Sequence, residues 1–334
     1  LSMINIATSM FFAEISGSAV ADVAALGSIL IPAMKKKGYP GAFAAAVTSS
    51  SASLAIIIPP SIPMIVYAVM SQSSVVQLFV AGIIPGVIGG FFLMLAAYVT
   101  ARKKNFPVEE TFNIPNVKKT AKDAALAFLL PVIILGGIFG GVVTATEGAG
   151  LAVVASLVIG FIYKEIDFKR LYESACEGAI QTASVMLLVA ASVLLGEFLT
   201  IEQIPQKVAE SIIEFTNNKY AVLGILIIFL LIIVFFLHSV AAIILTVPIV
   251  MPLVNAVGID PVHFGIIVTL NLAIGQQTPP VASVLVTACS VAKADIWDVT
   301  RSNISFICVL LVLLLLVTYV PAIPMTLVEY FYRS

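Results

Sequence analysis

Two proline pairs, in Ile58-Pro59-Pro60-Ser61 and in Thr278-Pro279-Pro280-Val281, interrupt apolar segments in the two halves of the chain. The same number of positions, with no gap, separates Pro59 from Pro279, Pro32 from Pro252 and Gly38 from Gly258. We call this separation the repeat offset. Proline lacks a backbone N–H and clashes with the preceding turn, so each pair predicts a broken helix. Corresponding broken segments in two halves of an apolar chain point to the binding site of a transporter.

The composition is typical of a membrane protein. The 334 residues are 60% hydrophobic and 10% charged, with a mean hydropathy of +1.13, whereas a soluble domain carries about 25% charged residues. Apolar runs that approach the roughly 20 residues needed to cross a bilayer cover residues 75–99, 124–139, 148–163, 175–199, 220–237 and 302–320. We therefore predict one all-α membrane domain over residues 1–334, embedded in a lipid bilayer. The net charge of −1 argues against nucleic acid as a partner.

The proline punctuation divides this domain into parts. Residues 1–72 are predicted as a first repeat, made of a helical hairpin and a broken helix. Residues 220–292 form the second repeat. Residues 75–200 are predicted scaffold or arm helices, and residues 302–321 a final transmembrane helix.

The leading segment of each repeat is predicted as a re-entrant hairpin, because two short apolar helices meet at a polar tip. The first tip is Ser16-Gly17-Ser18 and the second is His238-Ser239. Non-helical backbone at membrane depth is tolerated only where protein or a watery cavity surrounds it. Both tips are therefore expected to converge with the two broken helices on a shared cavity.

Loop charges set the orientation of the repeats. The junction of the first repeat carries Lys35-Lys36-Lys37, whereas residues 255–260 of the second have no Lys or Arg. Short loops rich in Lys and Arg face the cytoplasm, so the first junction is predicted inside and the second outside. Five crossings between the leading segments, an odd number, also invert the second repeat. A further cytoplasmic loop is predicted around Lys293 and Arg301.

The two breaks predict cation sites. Carbonyl groups that lose their helical partners combine with hydroxyl and amide oxygens into a site for a hard cation. Neither break has an acidic residue, which favours a monovalent ion over Ca²⁺. Candidate ligands are Ser16, Ser49, Ser51 and Pro59 in the first site, and Asn271, Gly275, Thr278 and Pro279 in the second. For any single hydroxyl, the alternative is close helix packing.

The hairpin tips predict contacts to a solute. Candidates there and at the first break are Ser18, Asp22, Ser61, His238 and Ser239. For His238 the alternative is a packed, satisfied histidine. Glu147 is interpreted as the partner of Thr144 in a helix cap rather than as a functional intramembrane acid. The sequence contains neither GxxxxGK[ST] nor a nucleophile–base constellation, so neither ATP-driven transport nor an enzyme is predicted.

Five motifs carry a family resemblance. They lie at residues 13–22, 31–39, 58–61, 140–148 and 270–281. Together they resemble the large membrane subunit of the TRAP (tripartite ATP-independent periplasmic) transporters, over essentially the whole chain. Residues 140–148 depart from the family's Thr-Pro-Thr-Glu-Ala signature, with Ala145 in place of Pro and Gly148 in place of Ala.

The resemblance implies a multi-pass protein of the bacterial inner membrane with an inverted-repeat, elevator-type fold. It implies sodium (Na⁺) as the driving ion, with no other metal, and thus two sodium sites at the breaks. The solute would be an organic acid delivered by a periplasmic substrate-binding protein. A small membrane subunit, separate or fused, would be the second partner. Family members have further helices ahead of the position of Leu1, so we expect residues upstream of it.

The second tip bears on the solute. Many members of the family carry Asp-Pro where this chain has His238-Ser239. That tip and the Gly275-Gln276-Gln277-Thr278 run are more similar to the sialic-acid branch. The alternatives are uptake of a C4-dicarboxylate or another sugar acid within the family, and outside it an ion-coupled anion transporter or a channel.

Overall fold

The computed structural model describes residues 1–106, 125–164, 166–216 and 218–332. All regular structure in these ranges is helical, which confirms the all-α class predicted from composition. Six helices in these ranges are long and apolar enough to cross a membrane, as a multi-pass membrane protein requires.

The first repeat begins with a helical hairpin, named hairpin one, formed by α1 and α2. The elements of this part of the chain are α1 (Ser2–Ser16), α2 (Ala19–Lys36), α3 (Gly41–Ala52), the 3₁₀ turn η1 (Ser53–Ile56), α4 (Ile62–Ser71) and α5 (Val75–Lys103). Helix α1 ends because Gly17 adopts the left-handed conformation, with φ of 59°. Ser18 then begins α2 as its N-cap, where its side chain accepts the N–H of Ala21.

Among the described residues, four further helices lie between α5 and the second repeat. They are α6 (Ala125–Phe139), α7 (Ala145–Ile162), α8 (Phe168–Ile201) and α9 (Ile204–Phe215). Thr144 Oγ1 accepts the N–H of Glu147 at 3.3 Å, and the Glu147 carboxylate accepts the N–H of Thr144 at 2.8 Å. This reciprocal pair is a capping box, which confirms the interpretation of Glu147 as a capping residue.

The second repeat begins with hairpin two, formed by α10 and α11. The elements are α10 (Lys219–Phe236), α11 (Ser239–Ala256), α12 (Pro261–Gly275) and α13 (Ser283–Ala292), followed by α14 (Ile296–Tyr319) and α15 (Ala322–Tyr332). Helices α2 and α11 have the same bounds once the repeat offset is applied, and α3 and α12 begin at corresponding positions. The correspondence extends to α5 and α14: the separation between their first residues is one position longer than the repeat offset.

Two features differ from expectation at the ends of this repeat. The helix predicted at residues 302–321 is α14, which begins earlier, at Ile296, because Asp295 caps it by accepting the N–H of Trp297 at 2.9 Å. Arg301 therefore lies in α14 and not in the loop that the sequence predicts.

Helices α10 and α11 have 18 residues each, which is long enough to span a membrane. The polar tip between them is therefore the feature that supports a re-entrant path for hairpin two.

The contacts divide the chain into two compact units. One comprises Leu1–Pro107 with Ser192–Ser334 and holds both repeats; the other is Val108–Ala191. The predicted scaffold, residues 75–200, is divided between these units. Within it, residues 107–124 and 165 lie outside the described residues. The assignment of residues 75–200 to a scaffold stays a prediction.

Helix α5 packs against the first repeat through glycines. A Cβ atom on Gly82 would overlap the carbonyl oxygen of Ile57, and one on Gly90 would overlap Met10 Sδ. Because a backbone oxygen cannot turn aside as a side chain can, only glycine lets α5 touch the backbone just after η1. Helix α5 is thus in close contact with both α1 and the first broken helix.

Candidate functional site

The tip of hairpin one is held together by Ser16. Its Oγ donates a hydrogen bond to Asp22 Oδ1 and accepts the N–H of Ser18 at 3.2 Å. Asp22 is fully buried, and its Oδ2 has no hydrogen-bond partner among the described residues. An incompletely paired carboxylate inside a membrane domain is costly, which makes Asp22 a candidate functional residue. Oδ2 is therefore an oxygen available to a cation.

This tip contacts the first break, residues 53–61, hereafter break one. The carbonyl oxygen of Gly17 accepts the N–H of Ile62 at 3.3 Å, and a Cβ on Gly17 would lie 2.8 Å from Pro60 O. Ser61 Oγ donates to Ile56 O at 2.7 Å. The structure thus brings the predicted residues into one region of hairpin one and break one; they are Ser16, Ser18, Asp22, Pro59 and Ser61.

The second break, residues 276–282 and hereafter break two, follows a helix with an unpaired amide oxygen. Asn271 is fully buried in α12, where its Nδ2 donates to Ile267 O at 2.8 Å. Its Oδ1 has no hydrogen-bond partner in the described part of the chain. An unpaired buried polar atom costs free energy unless a ligand satisfies it. Among the predicted cation ligands, Asn271 is the one whose side-chain oxygen is buried and unpaired within the described residues.

Three other predicted ligands lie at the end of α12 or just after it. A Cβ on Gly275 would overlap Val234 Cγ2 of hairpin two, so this position requires glycine. Thr278 Oγ1 donates to Ile274 O at 3.0 Å, and Pro279 follows it directly. Ser283, the first residue of α13, is not among the residues predicted from the sequence. Its Oγ is buried and, within the described ranges, unpaired.

The tip of hairpin two contacts break two. Ser239 is buried and accepts a hydrogen bond from Gln276 Nε2 at 2.5 Å, while Val281 N–H donates to Phe235 O at 3.3 Å. His238 occupies the N-cap position of α11, with no capping bond from its side chain. Each tip is therefore joined to the break of its own repeat. A cavity shared by both tips stays a prediction.

Ser49 and Ser51 have partners already. Ser49 Oγ donates to Ala46 O at 3.1 Å. Ser51 Oγ is 2.8 Å from Ser9 Oγ and also donates to Thr48 O at 3.1 Å. These bonds support the packing alternative that the sequence leaves open for single hydroxyls, and the assignment of both serines to a sodium site stays a prediction.

Gln277 joins the two repeats and is not among the residues predicted from the sequence. Its Nε2 donates to Ser49 O at 2.6 Å and to Ser53 Oγ, and its Oε1 accepts from Asn303 Nδ2 at 3.0 Å. Gln277 and Asn303 are both fully buried. The signal that could have found them is an uncharged amide in a segment that is otherwise apolar or small.

Comparison with known proteins decides the family. The family model described as "Tripartite ATP-independent periplasmic transporter, DctM component" matches residues 1–323. The chain belongs to this family. The resemblance drawn from the sequence motifs is therefore confirmed.

Curated relatives of this TRAP permease chain carry several solute names. It is 41% identical over 327 residues to the isethionate TRAP transporter permease protein DctMQ of Oleidesulfovibrio alaskensis, covering 97% of this chain and 52% of that protein. It is 38% identical over 319 residues to the C4-dicarboxylate TRAP transporter large permease protein DctM of Pseudomonas aeruginosa, covering 95% and 75%. It is 34% identical over 332 residues to the sialic acid TRAP transporter large permease protein SiaM of Vibrio cholerae, covering 99% and 78%.

These matches define what the TRAP permease chain is and how far it extends. It spans about half of the isethionate permease and about three quarters of the other two relatives. The family consists of transporter permease subunits and not of enzymes. With six candidate spans among the described helices, the chain is a multi-pass protein of the inner membrane. Among the described residues, no three His, Cys, Asp or Glu side chains form a metal cluster.

Proposed function

We propose that this chain is the transport subunit of a sodium-coupled importer of an organic acid. The observation that carries the proposal is Asn271 Oδ1, which is buried in the second broken helix without a hydrogen-bond partner among the described residues. A neutral amide oxygen beside a helix break suits a monovalent hard cation. We further propose that a small membrane subunit and a periplasmic binding protein complete the transporter.

Asp22 extends the proposal to the first repeat. The sequence predicts Asp22 among the solute contacts, but a buried carboxylate repels an organic anion and attracts a cation. Its unpaired Oδ2 and its bond to Ser16 favour a place on the cation side of the site. We therefore propose Asp22 and Ser16 as sodium-side residues of hairpin one.

The solute is proposed to bind at the hairpin tips. Helices α2 and α11 begin there, at Ser18 and His238, and the N–H groups at a helix start attract anionic groups. Sialic acid is our first choice because of the His238-Ser239 tip. C4-dicarboxylates and isethionate are the alternatives, since relatives carry those names; all three solutes are anions at neutral pH.

The proposed motion is an elevator stroke in which the hairpins and broken helices move as one body. Gln277 bonds the second repeat to Ser49 of the first, and Gly82 fits α5 against Ile57. Packed side chains and hydrogen bonds of this kind resist relative sliding. We therefore propose that α5 moves with the hairpins, so that the scaffold begins after α5 and not at residue 75 as the sequence predicts.

The experiment that tests the proposal is uptake into proteoliposomes. They would contain the full transporter complex, with its binding protein and radiolabelled sialic acid, a C4-dicarboxylate or isethionate supplied outside. We expect saturable uptake of one of these acids that requires an inward sodium gradient and supports counter-transport. Uptake that is equal in sodium and in potassium would overturn the coupling. Flux that does not saturate and shows no counter-transport would instead identify a channel.

A further inference from the structure

A closed set of hydrogen bonds connects the two repeats, both directly and through α14. Gln277 Nε2 of break two donates to Ser49 O and Ser53 Oγ in the first repeat, and Ser53 Oγ donates to Ser49 O at 3.2 Å. Asn303 Nδ2 donates to Gln277 Oε1, and Ser50 Oγ donates to Asn303 Oδ1. All five residues are at most 1% exposed. We name this set the amide bridge.

The amide bridge breaks the internal symmetry of the chain. At the positions that the repeat offset pairs with Gln277 and Asn303, the first repeat has Ile57 and the following helix has Ile83. The second repeat in turn has Thr269 and Ala273 where the first has Ser49 and Ser53. The two amides, Gln277 and Asn303, thus come from the second half of the chain, and their serine partners come from the first repeat. No equivalent pair of amides in the first half contacts the second repeat at the corresponding positions. Duplication alone does not produce such an arrangement.

The amide bridge is anchored where the first broken helix weakens. Ser49 O is the carbonyl to which the N–H of Ser53 bonds at the end of α3, just before the chain tightens into η1. On the other side, Gln277 lies between Asn271 and the Thr278-Pro279 turn. Hydrogen bonds of this length weaken steeply when the partners separate. A shift of the backbone at break two would therefore pull directly on the end of α3.

We propose that Gln277 is a positioning residue that couples cation binding in the two repeats. The inference rests on the proposed function, because it takes break one and break two to be the regions that bind sodium. An ion that fixes the backbone at one break also fixes the other through Gln277, so binding at each site favours binding at the other. Such coupling is reciprocal and typically changes affinity by about 5–150-fold.

A role confined to stability makes a different prediction. Every buried hydrogen bond lost lowers the free energy of unfolding. A smaller amount of folded protein lowers the uptake rate at every sodium concentration alike, whereas a loss of coupling changes the shape of the sodium activation curve. The chain offers a matched control in Asn5 and Thr48. Asn5 Nδ2 donates to Thr48 Oγ1 at 2.7 Å, equally buried, but this bond joins α1 and α3 within the first repeat.

The experiment compares Gln277→Met, Asn303→Leu and Thr48→Val in the full complex in proteoliposomes. Initial uptake is measured against sodium concentration at saturating solute, and then against solute at saturating sodium. For Gln277→Met we expect the Hill coefficient for sodium to fall towards 1 and the half-saturating sodium concentration to rise about fivefold or more. The half-saturating solute concentration should stay within about twofold, and Asn303→Leu should give a smaller change in the same direction.

The outcomes separate the proposal from the function on which it rests. Wild-type uptake that does not depend on sodium overturns the proposed function. Sodium-dependent wild-type uptake with a Hill coefficient of 1 overturns the coupling alone. A curve for Gln277→Met that matches wild type, or a loss of cooperativity in Thr48→Val as large as in Gln277→Met, also overturns it. If neither bridge variant reaches the membrane while Thr48→Val does, the bridge is a folding element and the coupling role is withdrawn.

Discussion

The two repeats have corresponding helices but different side-chain chemistry. Hairpin one has Ser18 at its tip and the buried carboxylate of Asp22 within the first turns of α2; hairpin two has His238 and Ala242 at the corresponding positions. In the broken helices, Ser51 corresponds to Asn271. Ser51 is bonded to Ser9, whereas the oxygen of Asn271 is unpaired in the described structure.

This contrast separates architecture from function. The Pro-Pro pairs, one proline ahead of each pair and one glycine recur at the repeat offset because they set the backbone path, and both halves need the same path. Polar side chains that could touch an ion or a solute differ in kind at corresponding positions, as Asp22 differs from Ala242 and Ser51 from Asn271. The two candidate cation sites are therefore expected to be unequal: an acidic one at hairpin one and a neutral one at break two.

The largest expected effect tests the close packing of α5 against break one. Gly82 of α5 corresponds, by the repeat offset, to Ser302 of α14. Gly82→Ser would place a Cβ atom over the backbone oxygen of Ile57, which cannot move away without disturbing break one. We expect it to lower the free energy of unfolding by about 3 kcal/mol, measured by thermal unfolding of the purified complex. The reverse exchange, Ser302→Gly, should cost about 1 kcal/mol or less. Equal losses would show that both repeats are packed alike.

A second test compares the corresponding residues of the broken helices. Asn271→Ala removes an oxygen that is free to bind an ion, so the half-saturating sodium concentration for uptake should rise about tenfold, equivalent to about 1.4 kcal/mol. Ser51→Ala removes a bond to Ser9 instead. It should lower the free energy of unfolding by about 1 kcal/mol and leave sodium activation unchanged. The reverse pattern would indicate that the ion binds at break one and not at break two.

The backbone path of the two repeats could be predicted from the sequence, but the hydrogen-bond partners of their polar side chains could not. Pro-Pro and Gly38 with Gly258 act locally, so their positions predict the helix ends without knowledge of any partner. The state of Ser49, Ser51 and Asn271 depends on distant residues. Gln277 approaches Ser49 from 228 positions away, and hydroxyls in one segment do not reveal which of them find partners.

The sequence also did not predict a helix boundary that a single cap residue sets. The charge of Arg301 follows that of Lys293 and so predicts a cytoplasmic loop, yet Asp295 begins α14 ahead of it. A positive charge near the end of an apolar run orients a helix without marking where that helix starts. The cap residue carries that information, and Asp295 is one of two acidic residues in the same stretch.

A third, smaller effect asks whether Asp22 serves the ion or the solute. Asp22→Asn keeps the shape of the side chain and removes its charge. We expect the half-saturating sodium concentration to rise about fivefold, while the half-saturating solute concentration at saturating sodium changes by less than about twofold, because a nearby charge attracts sodium and contributes no favourable contact to an anion. The measurement is initial uptake in proteoliposomes. A large change in solute affinity with sodium activation intact would restore the solute contact predicted from the sequence.

The last expected effect, of the same size, concerns Ser18, the counterpart of His238. Ser18 caps α2 through a long bond of 3.5 Å to the N–H of Ala21, so its hydroxyl contributes little to the helix and is free to meet a carboxylate or sulfonate. Ser18→Ala should raise the half-saturating solute concentration about fivefold at saturating sodium, which corresponds to one modest hydrogen bond of about 1 kcal/mol. Ser74→Ala is the matched control, because Ser74 caps α5 through Gln77 N–H at 3.3 Å. Both variants lose a cap, so a solute effect shared by the two would come from helix fraying. An effect confined to Ser18→Ala would place the solute at the tip of hairpin one, where the start of α2 and a partly exposed hydroxyl act together on the same anionic group.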